Sequence, residues 1–445
     1  MWQSENKNNR KLKIYLLSLG CVKNQVESEM MSGMLDLYGF VIIDNPTTAD
    51  IIIVNTCGFL ISAREEAIEN ILELAQWKES GCCRLLLAVG CMPQKYGAEM
   101  LSSMPELDGV LGSSEYADIG EFIIEKLSLP EPSVIRPCDP YMLRRLSTPP
   151  HTAYIKIADG CDNHCAYCLI PQLRGVYRSR TMESIVTEAK KLLSEDVSEL
   201  ILVAQDTTNY GMDIYGVKAL PELLTQLAQL DFHWIRLLYC YPSHITKELL
   251  TVMARYDNIC HYLDIPLQYA DDKVLKNMNR TDTVASLREK IYLIKRYLPD
   301  VALRTTIMVG FPGEHGKSWL NMLKFLEDVR FDWVGVFAYS REEDTPAYSL
   351  PHQVLESTKQ RRLEETHVFL NKLSERRMAA YVGRILEVLT EGRGKDGRYY
   401  GRSMYQSPEV DGLVYFTSDV HRKLGSYVAV RITGHDVYDL NGFAI

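Results

Sequence analysis

The chain has 445 residues, 46% of them apolar and 24% charged, with a formal net charge of −9 and eleven cysteines. That length exceeds one ordinary core, so two or three domains are expected, and the composition is that of a globular protein rather than a fibrous or disordered one. The acidic balance speaks against a protein built mainly to grip nucleic acid, whose footprint is basic, and it suits a basic partner instead.

The opening stretch MWQSENKNNRKLK is polar and holds no apolar signal core. The longest apolar run, 51–61, is interrupted by Asn55 and Thr56 and falls far short of the ~20 residues a bilayer requires. A cytoplasmic protein with no membrane association is expected. Thiols in that compartment stay reduced, so eleven cysteines point to metal binding or catalysis rather than to disulfides.

Residues 12–19 (LKIYLLSL), 50–55 (DIIIVN) and 84–90 (RLLLAVG) read as short buried strands. Between them, Val26, Met30, Met34 and Leu37 share one helical face. Ser62 and Glu65 have the spacing of a capping box, and Ile68, Ile71, Leu72 and Ala75 follow at helical intervals. Strand alternating with helix predicts an α/β fold, a doubly wound parallel sheet over 11–128. A proline-rich stretch, LPEPSVIRPCDP to STPP, predicts a linker over 129–150.

A second alternation starts at 151. Strands are expected at 153–158, 199–204, 234–238, 261–265, 302–308 and 333–338, with helices between them, for example at 182–194 and 283–297. Six βα units over 151–378 predict an open, partial (β/α)6 barrel, two units short of a closed one. A charged helical segment, about 353–380, leads out. Residues 380–445 change to short strands with glycine turns, which predicts a small all-β barrel or sandwich.

The cysteines sort by position. Cys21, Cys57 and Cys91 each follow one of the first three strands by one or two residues. Ligands of open α/β sheets collect outside the carboxyl ends of strands, so three such loops can bring three thiols to one edge. Cys82 and Cys83 precede their strand and belong to the opposite edge. Cys161, Cys165 and Cys168, in GCDNHCAYC, follow the first strand of the second alternation, at the ligand-bearing end of a barrel. Thiolates are soft ligands that select zinc or iron–sulfur clusters. Zinc and most clusters take four protein ligands, so three cysteines leave one metal position open to something else. Cys138, Cys240 and Cys260 receive no role.

The run C-x3-C-x2-C with an aromatic before its last cysteine resembles the radical S-adenosylmethionine (SAM) signature. IPQLRGVYRSR (170–180) and SLGCVKNQVESE (18–29) resemble the methylthiotransferase family of that superfamily, and the likeness extends through the whole chain, including a C-terminal TRAM barrel. AQDTTNYG, LLYCYP, YLDIPLQ, FAYSREEDTPA, SPEVDGLVY and VRITGHDVYDL are similar to the branch that methylthiolates an aspartate of ribosomal small-subunit protein S-twelve, rather than the branch acting on tRNA adenosine. Two departures stand out: Tyr269 where the family usually has His, and His315 where Thr is common.

The resemblance implies two [4Fe-4S] clusters. Cys161, Cys165 and Cys168 would hold the one that cleaves SAM to a 5′-deoxyadenosyl radical, which takes hydrogen from the unactivated β-carbon of the aspartate. Cys21, Cys57 and Cys91 would hold a second cluster that carries the sulfur, with another SAM as methyl donor. Tyr167 is expected near the adenine. Gln205, Asp206 and Gln268, at or just past strand ends, are candidates for SAM or substrate contact. Gly310 and Gly313 are candidates for close backbone approach to the cofactor or for a simple turn. Lys23 and Asn24 either tune the second cluster or cap the following helix. An electron donor such as flavodoxin or ferredoxin is implied as a partner.

The tail bears on the substrate. From residue 380 onward it has eight Lys/Arg and eight Asp/Glu. An RNA clamp is expected to be basic, because phosphate neutralisation dominates affinity. A neutral tail on an acidic chain favours a basic ribosomal protein, with RNA contact only near the ribosome.

Overall fold

The structure is a computed structural model and describes residues 11–130 and 139–445, so Cys138 and part of the expected linker lie outside the described residues. It divides into two compact units. Among the described residues, the first comprises those up to 147 together with 169–176, and the second comprises 148–168 together with 177–445.

In the first unit five strands form one parallel sheet, in the order Val41–Ile43, Lys13–Ser18, Ile51–Thr56, Leu85–Gly90, Gly109–Gly112. Three of them were expected. The two added strands, three and four residues long, lie at the sheet edges. Ile51–Thr56 and Leu85–Gly90 are buried along their whole length, as strands covered by helices on both faces must be. Ile14, Ile53 and Leu87 pack on one face with Met31 and Leu35, and Ile52, Val54, Leu86 and Ala88 pack on the other with Ala67 and Ile71.

Two helical details differ from expectation. The helix Ile61–Ala75 begins at Leu60, which makes no side-chain cap bond, so Ser62 already lies inside the first turn and forms no capping box. Its buried stripe is Ala67, Ile71 and Leu74, while Leu72 is exposed. In the preceding helix, Val22–Leu37, Val26, Met30 and Met34 are buried and Leu37 is exposed at the carboxyl end.

The second unit holds a six-stranded parallel sheet, ordered Trp333–Ala338, Ala302–Val309, Ile259–Asp264, Trp234–Leu237, Glu199–Val203, Thr152–Lys156. All six expected strands are present, and the helices Met182–Ser194 and Val284–Tyr297 fall where expected. The helix Glu356–Ala379 leads to a closed barrel of Ile385–Arg393, Tyr399–Ser403, Val414–Thr417, Leu440–Ala444 and Tyr427–His435, so the small all-β tail is a barrel rather than a sandwich.

Segment 402–411 of that tail seals the amino-terminal ends of the parallel strands. Arg402 binds Glu199, Trp333 Nε1 donates to the Tyr405 carbonyl at 2.8 Å, and the Tyr262 hydroxyl donates to Asp411 at 2.7 Å. The opposite, carboxyl-terminal ends carry the loops with the cysteines.

Candidate functional site

Cys21 immediately precedes the helix Val22–Leu37, Cys57 follows Ile51–Thr56, and Cys91 opens the helix Cys91–Ser103. These loops flank the point where the strand order reverses, the usual crevice of such a sheet. Each cysteine has a glycine neighbour, and two of these glycines explain how closely the loops meet. A Cβ on Gly20 would stand 2.8 Å from Cys57 Cβ, and one on Gly58 would stand 2.9 Å from the Cys91 carbonyl oxygen. Any side chain there would push the three loops apart.

Asn24 ties the cysteines together. Its Oδ1 lies 3.9 Å from both Cys21 Sγ and Cys91 Sγ. Its Nδ2 donates to the Leu19 carbonyl at 3.1 Å and to the Thr56 carbonyl at 3.0 Å. The Asn24 amide thus bonds to loop carbonyls rather than to the first-turn amides of its own helix. Lys23 is buried beside it. Arg174 approaches Asn24 from the segment that follows Cys168. Its Nη2 donates to Asn24 Oδ1 at 2.6 Å and its Nη1 pairs with Glu27, and both ion-pair partners are buried.

Burial pushes the Cys91 thiol up to about 12, Arg174 pulls it down, and Glu27, Cys21 and Cys57 push it further up. Burial likewise raises Cys57, with Cys21 adding to the rise and Arg174 opposing it. Three mutually repelling thiolates in one pocket need a cationic partner such as a metal centre to ionise together. Among the described residues no three His, Cys, Asp or Glu side chains are arranged to hold a single metal ion. The thiolates of a four-iron cluster each bind a different iron, so three thiols on three loops suit the ligand chemistry of such a cluster. Cys83 is buried, with its thiol directed to the Leu85 carbonyl, and Cys82 is exposed; both precede the strand Leu85–Gly90, away from this set.

In the second unit, Cys161, Cys165 and Cys168 are half-buried in the loop after the short strand Ala158–Asp159. Cys165 and Cys168 share one turn, where the Cys168 amide donates to the Cys165 carbonyl at 3.0 Å. Asn163 Nδ2 points at Cys161 Sγ at 3.5 Å and at Asp206 Oδ2 at 2.8 Å. Burial raises the Cys161 thiol to about 11, while bonds from Asn163 oppose the rise.

Asp206 is buried and fully engaged. It accepts from Asn163, from Thr208 Oγ1 at 2.7 Å, and it meets His244 Nδ1 at 2.7 Å. Burial alone would raise its carboxyl, but the bonds from His244, Thr208 and Asn163 outweigh it and hold the group below its usual value. Asp206 therefore positions the Cys161 loop through Asn163.

Gln205 Nε2 donates to Asp159 at 3.0 Å, but its Oε1 is buried with no hydrogen-bond partner. Gln268 sits at φ 69° with its backbone bridged to the strand Ala302–Val309, and its Oε1 is also buried without a partner. Two orphaned acceptors in one unit fit a ligand rich in donors, as SAM's amino and ribose hydroxyl groups are. The half-buried Tyr167 meets Phe311 edge-on at 6.2 Å, and burial followed by the Cys165 charge raises its hydroxyl. The space a side chain would need at Gly310 and Gly313 is taken by Lys359 and Asn277, 2.4 and 2.6 Å from the missing Cβ atoms. Both glycines also have positive φ, so turn geometry and these side chains account for them.

The two departures from the family pattern have distinct settings. Tyr269 is buried against Glu314 and Arg362. His315 precedes the helix Gly316–Val329, and its Nδ1 accepts from the Ser318 amide at 3.1 Å in a reciprocal capping box. It does the work a threonine does at that position.

Sequence reading missed Arg174, Asn163 and His244. None has a local signal, since their partners lie 147, 43 and 38 residues away.

Three known families match successive parts of the chain: the Uncharacterized protein family UPF0004 over 13–112, the Radical SAM superfamily over 155–326 and the TRAM domain over 382–445. Among solved structures, the radical S-adenosylmethionine methyltransferase TsrM from Kitasatospora setae matches at TM-score 0.57 with 13% identity, covering 76% of this chain and 74% of that one, which supports the fold. The protein is thus a radical SAM enzyme with the three-domain make-up of a methylthiotransferase. It is 45% identical to the ribosomal protein uS12 methylthiotransferase RimO of Heliobacterium modesticaldum, over 98% of this chain and 95% of that one. It is 44% identical to the RimO of Clostridioides difficile, over 97% and 98%. The chain belongs to the RimO family.

Proposed function

We infer that this chain methylthiolates the β-carbon of an aspartate in ribosomal protein uS12. The observation that carries this reading is full-length identity above 40% to several uS12 methylthiotransferases, in a chain that presents two separate sets of three cysteines. When bound, a [4Fe-4S] cluster and SAM supply the radical that removes an unactivated hydrogen, which acid–base chemistry cannot do at that carbon. Cys161, Cys165 and Cys168 are the residues to hold that cluster. Asn163 and Asp206 fix the loop that carries them, and Gln205 and Gln268 are the acceptors offered to SAM. Cys21, Cys57 and Cys91 are the ligand set for a second [4Fe-4S] cluster, which serves sulfur transfer, with a second SAM as methyl donor.

The domain division we propose follows the sequence: 11–128 for the sulfur-transferring domain, 129–150 as linker, 151–378 for the radical SAM domain and 380–445 for the TRAM domain. The electron donor is a small redox protein such as flavodoxin or ferredoxin, and the reaction takes place in the cytoplasm. No helix among the described residues is long and apolar enough to cross a membrane. The barrel's Arg402 is buried against Glu199 and its Asp411 is buried beside Arg304, so the charge balance of the remaining tail stays at zero. That balance supports a basic protein over RNA as the group recognised.

Mass spectrometry of uS12 from cells with and without the gene, alongside nucleoside analysis of their tRNA, tests the reading. A gene-dependent methylthio increment on one aspartate is expected. Unmodified uS12 with gene-dependent methylthioadenosine in tRNA would overturn it.

A further inference from the structure

We infer that Arg174 is the fixed cationic partner of the Cys21–Cys57–Cys91 site and sets the reduction potential of the cluster held there. This rests on the reading of that site as a cluster site. The observations are geometric. Arg174 is 4% exposed, six residues beyond Cys168 in the chain, and belongs to the first unit rather than to the unit that contains Cys168. The short helix Ile170–Arg174 ends on it, and Leu169 and Leu173 pack with Cys91 and Phe59. The Ser113 hydroxyl donates to the Leu173 carbonyl at 2.8 Å, which pins the segment a second time. The guanidinium is therefore not a mobile surface charge.

Its partners direct it to the cysteines. Asn24 Oδ1 receives Arg174 Nη2 at 2.6 Å and is also the atom 3.9 Å from Cys21 Sγ and Cys91 Sγ. Thiols bound to iron lose their protons and have nothing to give that oxygen. Arg174 then remains its donor and keeps an unshielded carbonyl dipole from opposing the thiolates. Glu27 holds the other arm of the guanidinium. A buried cation next to a cluster favours the reduced, more negative state, and a buried carboxylate opposes it, because neither charge is screened by water. The stretch that completes the radical-cluster motif thus delivers, within a few residues, the charge that governs the second site.

A purely structural ion pair would show the same burial, so the test reads potential rather than activity. The full-length chain carrying Cys161→Ala, Cys165→Ala and Cys168→Ala isolates the second site. It is reconstituted without oxygen and titrated potentiometrically by electron paramagnetic resonance. Adding Arg174→Gln is expected to lower the reduced-to-oxidised ratio at a fixed potential about tenfold, about 59 mV for one electron. Arg174→Lys keeps the charge and should stay near the parent, while Glu27→Gln should move the potential the other way. Equal potentials in the parent, Arg174→Gln and Glu27→Gln would overturn the inference while leaving the cluster reading intact. If Arg174→Gln does not retain iron, Glu27→Gln decides: an upward shift supports the inference and no shift overturns it. No iron in the parent, with Cys21, Cys57 and Cys91 present, would overturn the cluster reading and the inference together.

Discussion

Arg402 and Glu199, 203 residues apart in sequence, form a buried two-pronged pair, with Nη2 to Oε2 at 2.6 Å and Nη1 to Oε1 at 3.2 Å. Arg236 donates to the same carboxylate at 2.9 Å, so one buried acid serves two buried guanidiniums and joins the closed barrel to the parallel sheet. Burial alone would raise Glu199, but Arg402 and Arg236 hold it at about 2.

Glu199→Gln leaves Arg236 without a counter-charge and Arg402 with Glu391 alone, and should destabilise the second unit by about 3–5 kcal/mol. The pH dependence follows from the sign of the shift. A carboxyl held below its ordinary 4.5 contributes stability that is complete above that value and is lost as pH falls toward about 2. The gap in thermal unfolding temperature between wild type and Glu199→Gln should therefore be constant above about pH 5 and close as the solution is acidified. A gap that stays open at the lowest pH would mean the pair stabilises by packing rather than by charge.

The two cysteine sets should separate by function. Replacing Cys161, Cys165 and Cys168 by Ala should abolish formation of 5′-deoxyadenosine from SAM under reducing, oxygen-free conditions and remove about half the iron, since each set is read as holding one four-iron cluster. Cys57→Ala should leave some SAM cleavage while ending methylthiolation of uS12. Iron and sulfide analysis, with chromatography of the nucleoside product, checks both. Equal loss of SAM cleavage in the two variants would contradict the division of labour.

Gln205 and Gln268 present buried carbonyl oxygens that no protein group satisfies. Replacing Gln268 by Met keeps its volume and removes only the polar atoms. If that oxygen receives a donor from SAM, the dissociation constant for SAM should rise about tenfold, the worth of one buried hydrogen bond. The stability of the SAM-free protein should not fall, because an orphaned acceptor contributes nothing to it. Equilibrium dialysis of SAM and thermal unfolding read the two quantities. A fall in stability with unchanged SAM affinity would assign Gln268 to the fold alone.

Much of this architecture is legible in order along the chain. The strands that were read correctly are runs such as IIIV and LLLAV, where burial on both faces leaves an unbroken apolar signal. Val41–Ile43 and Gly109–Gly112 escaped because three or four edge residues carry too little pattern to rise above a loop. Ser62 and Glu65 have the right spacing for a cap, but the helix starts at Ile61, two residues too early for Ser62 to serve. The six candidate cysteines stand out in the sequence because spacing after strands is a local property. Arg174 was not, because nothing around IPQLRG says that it folds onto Glu27 and Asn24, and the same holds for the His244–Asp206 contact that steadies Asn163.

His315 offers a test of how far a family departure matters. The ring accepts from the Ser318 amide while the Ser318 hydroxyl accepts from the His315 amide at 2.9 Å, a closed pair of bonds at the start of Gly316–Val329. A threonine can accept the same bond with its hydroxyl, so His315→Thr should keep the stability of wild type and with it the about 1 kcal/mol that a cap is usually worth. His315→Ala removes the acceptor and should lose that amount. Because the following helix packs Met322, Phe325 and Leu326 into the core, the loss should appear in global unfolding rather than as local fraying. Neither change should alter methylthiolation once the protein is folded, since the ring is engaged with the helix. An alanine variant as stable as wild type would mean the cap is dispensable, and a threonine variant that folds but has lost activity would mean the ring serves the reaction.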